Sequence, residues 1–160
     1  MGEIKLKAFG ILNYKLEDVF RIFMKNAKKD FPEFNEKDPL GCQFKKNIET
    51  GASKPVECIV EITEYIKNEK YEITTSTSFT KCISTYIFKG QKDGTTKLIF
   101  EEKQTSEKFF SYATVWLQRF MARRTFKAKI NHTIECLNNE LKTYFSNIER
   151  SKPKNKAVAD

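Results

Sequence analysis

The chain has 160 residues, enough for one domain with a substantial core. Its content of 31% charged and 39% hydrophobic residues is that of a globular protein in water. No apolar run approaches the roughly 20 residues needed to span a membrane, and the formal net charge of +8 is concentrated in residues 108–134, which hold six basic residues and no acidic one.

Glu3 to Leu12 alternates, with Ile4, Leu6, Ala8, Gly10 and Leu12 on one side and Lys5 and Lys7 on the other, which predicts a strand with one wet face. Asn13 is a plausible helix N-cap, with Glu17 and Asp18 in the positive first turn. Leu16, Val19, Phe20, Phe23, Met24 and Ala27 then recur at helical spacing. Asp30 to Phe34 fits one short turn, and Asp38-Pro39-Leu40-Gly41 breaks the chain.

Cys42 to Glu49 reads as a weak strand, and Val56 to Tyr65 as a clearly alternating one. Lys67-Asn68-Glu69 is a tight reversal into Lys70 to Phe79, rich in strand-favouring Thr, Ile and Tyr. Lys81 to Lys89 follows, and Asp93-Gly94 signals a hairpin into Thr96 to Gln104. From Ser106 to Arg150 there is neither Gly nor Pro. One straight helix of that length, on the order of 65 Å, would overhang a compact domain about 40 Å across. A bend or a separate short helix is therefore expected between Phe109 and Trp116, with the main helix running from about Leu117 to about Ile148. Residues 1–150 form one domain on this reading, and 151–160 a disordered tail.

Four cysteines, Cys42, Cys58, Cys82 and Cys136, show no C-x-x-C spacing, and none is next to His132, the only histidine. Met1 to Leu16 lacks the apolar run of a signal peptide and carries three lysines. The expectation is a reduced, cytoplasmic protein whose cysteines act mostly as small core residues.

The order of elements resembles the helix-grip fold of the START-like (SRPBCC) superfamily. The match spans residues 3 to about 148 and is carried by the first strand running into Leu16-Glu17-Asp18-Val19-Phe20, then Asp30 to Phe34, Tyr86-Ile87-Phe88 and Thr96 to Glu102. The chain is most similar to an uncharacterised single-domain bacterial branch. The resemblance implies an α+β fold: a curved antiparallel sheet of about six strands around a long C-terminal helix, with a short helix after the first strand. It also implies a cavity between sheet and helix, often holding an apolar small molecule. The oxygenase members are excluded as models, because their iron site needs histidines that this chain lacks.

Several constellations are candidates for that cavity. On the last helix Phe109, Tyr112, Trp116, Phe120, Ile130, Ile134, Leu137, Leu141, Phe145 and Ile148 share one broad face. Arg123 and Lys127 fall inside it. Either they lie at its edge with their charges in water, or one holds an anionic head group, with Glu102 or Glu101 as the nearest protein partner. Thr75, Thr77, Ser84 and Tyr86 line a pocket in one strand register and face solvent in the other. His132 and Glu135 are helical neighbours that read as a solvated pair rather than an acid/base dyad. The basic cluster has the sign of a nucleic-acid footprint, but its aromatics follow the apolar stripe, which disfavours that use.

The sequence thus points to a protein that binds an apolar or amphipathic small molecule without cofactor or metal. Its ligand-binding candidates are Thr75, Thr77, Tyr86, Phe100, Glu102, Trp116, Phe120, Arg123 and Lys127. The rival readings are a cyclase-like or hydrolase-like enzyme using cavity acids such as Glu102 with a Tyr, and an interaction module using the basic helix. Oligomeric state is not legible.

Overall fold

A computed structural model describes residues 2–48, 54–78, 80–106 and 112–152, without the side chains of Gly2, Ile48, Ser106 and residues 112–122. Six strands, β1 (Gly2–Leu12), β2 (Gln43–Ile48), β3 (Val56–Ile66), β4 (Lys70–Ser76), β5 (Thr80–Gly90) and β6 (Thr96–Ser106), form one antiparallel sheet. Their order is β1-β6-β5-β4-β3-β2. Strands β2 to β6 are a meander, each paired with the next in sequence. Asn68 at the β3–β4 reversal and Gly94 at the β5–β6 reversal take the left-handed backbone that such turns require, with φ of 61° and 83°. β1 lies on the far edge against β6, so the chain crosses the whole sheet to begin β2. Helix α1 (Leu16–Ala27) and the 3-10 turn Lys28–Asp30 occupy that crossing. Helix α2 (Tyr112–Ser151) lies over the same face.

Register assigns the faces. Gly10, Leu98 and Phe88 are lateral neighbours, as are Ala8, Phe100, Tyr86 and Tyr71. Leu6, Glu102, Ser84 and Ile73 form the next row, and Ile4, Gln104, Cys82, Thr75 and Val60 the one after. All face inward. The opposite face carries the ion pairs Lys7–Glu101 (2.6 Å), Lys103–Glu3 (3.1 Å) and Lys70–Glu64 (2.6 Å). A bulge between Ile62 and Glu64 shifts the β3–β4 pairing and brings Tyr65 opposite Tyr71.

Helix α1 buries Val19, Phe20, Ile22, Phe23 and Met24 on the inner face. The rings of Phe20 and Phe23 meet Phe88 edge-on, each at 5.1 Å. The helix begins later than the Asn13 signal suggests. Lys15 is the N-cap, has no side-chain cap, and accepts from the amides of Asp18 and Val19 with its backbone carbonyl. Glu17 and Asp18 still occupy the first turn, where their charge suits the helix dipole.

Helix α2 is continuous from Tyr112, which corrects the separate short helix and the start near Leu117; residues 109–111 lie outside the described ones. Tyr112, Thr114 and Val115 are weak helix formers by at most about 0.7 kcal/mol each, too little to interrupt a cooperative helix. Its 40 residues measure about 60 Å, whereas an 11-residue strand measures about 37 Å. The helix therefore outreaches the sheet. Its buried residues, Phe126, Ile130, Leu137 and Leu141, fall in the part that packs. Phe126 joins the stripe, which the projection had left out, and Ile148 at the far end is exposed. Residues 153–160, where the tail is expected, lie outside the described residues.

Close approach of α2 to β1 depends on Gly10. A Cβ there would stand 2.6 Å from two side-chain carbons of Ile134. Gly10→Ala should cost about 1–3 kcal/mol through overpacking, read as a lower urea midpoint. Ile134→Ala in the same chain should recover part of the loss, and an unchanged midpoint for Gly10→Ala would remove Gly10 as the contact that sets helix height.

Candidate functional site

Between the inner sheet face and α2 lies a half-open cavity of about 410 Å³. Phe44 of β2, Val60 of β3, Tyr71, Ile73 and Thr75 of β4 and Tyr86 of β5 form its floor. Alternation puts these side chains on one face, and the antiparallel register aligns them in adjacent rows. His132, Thr133, Cys136 and Leu137 of α2 form the roof, successive turns of one helix side. Phe23, Asn26 and Ala27 of α1, with Asp30 and Phe31, close one end. Asp30, Lys46 and His132 are exposed and so belong to the rim. Asn26 is held in place from both sides: its Nδ2 donates to Glu140 Oε1 at 2.7 Å, and its Oδ1 accepts from Lys29 at 3.0 Å.

Two phenols dominate the floor. Tyr71 is 3% exposed and Tyr86 9%. Their rings lie 5.9 Å apart, both against Phe23, and Tyr86 rests edge-on against Phe100 at 4.3 Å. Neither hydroxyl has a hydrogen-bond partner among the described residues, yet no fully enclosed polar atom is unsatisfied. The hydroxyls therefore keep access to the cavity space. Burial pushes Tyr86 up to about 12, with the Glu102 charge adding to it, and raises Tyr71 by the same desolvation. Both stay protonated near neutrality and act as hydrogen-bond donors.

Beside the cavity runs a polar strip. Glu102 is buried, accepts from the Gln104 side-chain amide, and meets Lys129 Nζ of α2 at 3.5 Å. Its neighbour Ser84 is also buried, with Cys82 Sγ at 3.9 Å from Ser84 Oγ. Burial, then the nearby Glu102 carboxylate, pushes the Cys82 thiol up to about 11. This strip ties sheet to helix with its own partners. A second hollow of about 500 Å³ opens on the outer face, lined by Lys5, Lys7, Glu72, Glu101 and Lys103 among others. Its charges are already engaged: Lys7 with Glu101, and the Glu72 carboxylate with the hydroxyls of Thr63 and Thr85, both at 2.8 Å. Of these two hollows, the inner one combines an apolar wall with phenol donors that have no partner among the described residues.

Of the residues singled out from sequence, Thr75 and Tyr86 line this cavity. Phe100 lies behind Tyr86 and supports it, and Glu102 belongs to the adjacent strip. Thr77 sits at the β4–β5 turn, where its hydroxyl lies 2.8 Å from that of Thr80. Trp116 and Phe120 are on α2, but their side chains lie outside those described. Arg123 and Lys127 are exposed. The amine that reaches Glu102 is that of Lys129 instead. Sequence reasoning passed over Tyr71 and Cys136. It paired His132 with Glu135, whereas the contact in place is Cys136 Sγ to His132 Nε2 at 3.5 Å. Four-residue spacing on one helix was the available signal. All four cysteines are free, and no helix among the described residues is long and apolar enough to cross a membrane.

An antiparallel sheet gripping a long C-terminal helix is the helix-grip fold, and solved structures share it. A protein of unknown function from Staphylococcus aureus superimposes with a TM-score of 0.68 at 11% identity, over 91% of this chain and 97% of its own. A START superfamily protein from Mycobacterium smegmatis gives 0.60 at 9%, over 89% and 99%. An aromatase/cyclase from a Streptomyces species gives 0.56 at 7%, over 88% and 94%. At such identities the likeness is one of fold. No curated protein matches the sequence. The chain belongs to the family described as Domain of unknown function (DUF3284), whose pattern matches residues 6–123. That segment carries the cavity floor and α1, while the roof residues His132 to Leu137 lie beyond it.

Proposed function

We propose that this protein binds an apolar or amphipathic small molecule in the cavity between sheet and α2, and carries it without turnover. The observation that bears most weight is the pair of buried phenols, Tyr71 and Tyr86, with no partner among the described residues in an otherwise apolar floor. Each hydroxyl reaches the cavity space and is a hydrogen-bond donor there, so a ligand oxygen can accept from it. The volume of about 410 Å³ suits a molecule of drug-like size. The favoured ligand is thus an apolar body with one or two acceptor oxygens. Thr75, Tyr71 and Tyr86 contact it on this reading, with Phe100 holding Tyr86 in place.

The test is titration with the apolar dye 1-anilinonaphthalene-8-sulfonate, with native mass spectrometry of freshly purified protein. One dye per chain should bind. Thr75→Trp, which fills the floor, should weaken it by at least about 10-fold, equivalent to roughly 1.4 kcal/mol. Absence of dye binding, or equal affinity in Thr75→Trp, would overturn the reading. A co-purifying mass that is released chemically altered would replace carriage with the cyclase-like or hydrolase-like alternative.

A further inference from the structure

The roof of the cavity carries a nucleophile and a base in contact. Cys136 and His132 stand four residues apart on α2, and Cys136 Sγ lies 3.5 Å from His132 Nε2 and 4.0 Å from Nδ1. Both line the cavity whose floor holds the hydroxyls of Tyr71 and Tyr86. Those phenols are more than nine-tenths buried and without partners among the described residues. Thiol, imidazole and two hydrogen-bond donors therefore border one apolar space.

We propose that Cys136 captures α,β-unsaturated ketones covalently, with His132 as the base and a floor phenol as donor to the ketone oxygen. The proposal rests on the cavity-binding reading above. An apolar wall with two donors selects a carbonyl on a hydrocarbon body, and a thiolate prefers the soft carbon conjugated to it. With the imidazole proton on Nδ1, Nε2 takes the thiol proton. The thiolate adds to the β-carbon and a C–S bond forms. The alkene π pair moves to give an enolate, whose oxygen accepts from the phenol. The imidazolium then returns its proton to the α-carbon. The net change is addition of S–H across the double bond, with nothing oxidised, reduced or expelled.

The probe is trans-3-nonen-2-one, with saturated 2-nonanone as its unreactive counterpart. Intact mass and peptide mapping should find one adduct, on Cys136, formed at least about 10-fold faster than on glutathione. Cys136→Ser should abolish that adduct. His132→Gln should slow it by at least about 10-fold with the rates compared at saturating probe, as removal of a positioned base does. Labelling of Cys136 no faster than of glutathione, or unaffected by His132→Gln, would overturn the proposal. If 2-nonanone displaces the dye but no adduct forms, covalent capture fails and cavity binding stands. If neither occurs, both fail.

Discussion

Leu141→Ala is expected to lower the unfolding free energy by about 2–5 kcal/mol, the range for truncating a fully buried leucine. Leu141 is 0% exposed and belongs to the core cluster against which Tyr144 and Phe145 pack. Loss of its side chain removes both transfer free energy and packing contacts, because a close-packed core cannot collapse fully into the gap. Ile148, about two helical turns further along the same stripe, is 36% exposed, so Ile148→Ala should stay within about 0.5 kcal/mol. Urea unfolding of the two variants side by side checks both. Equal effects would mean that the helix is not anchored through its buried stripe.

Alkali should unfold the protein well before its backbone chemistry is affected. Burial raises Tyr71, Tyr86 and Cys82, the last two to about 12 and about 11. Unfolded tyrosine and cysteine release their protons near 10 and 8.5. Above about pH 9 the unfolded chain therefore holds fewer protons than the native one, and stability falls as pH rises. The contribution is whole below the unfolded values and is lost progressively toward about 11 for Cys82 and about 12 for Tyr86. All three groups act in the same direction between about pH 8 and about pH 11. Urea midpoints across that interval should drop steadily, and Tyr86→Phe should flatten the slope. A level profile would show that these groups are solvated in the native state.

The fold was legible because alternation and turn chemistry are local. Leu6, Ala8 and Leu12 announce the inner face of β1, and Asp93-Gly94 announces the β5–β6 reversal without reference to anything distant. The helix boundary was harder, since propensity differences at Tyr112, Thr114 and Val115 are smaller than the cooperativity that overrides them. A helical projection also assumes that every position has a core opposite it. Arg123 shares the angular position of Ile130 but is exposed, because the buried stripe among the described side chains begins at Phe126. His132 projects off the stripe and so reads as solvated. His132 is indeed exposed, yet with Thr133 and Cys136 it borders the cavity, because sheet and α2 leave a gap there. Such a gap is a property of how two surfaces fail to meet, and no single segment encodes it.

The cavity takes its walls from α1, four strands and α2, so it exists only in the assembled chain. Any molecule that binds it has no counterpart site in the unfolded state, and by mass action its occupancy adds RT ln(1 + [L]/Kd) to the unfolding free energy. At one hundred times Kd that is about 2.7 kcal/mol, the same order as the loss of the Leu141 side chain. A molecule bound at that level would by itself offset the loss of one buried leucine from the core.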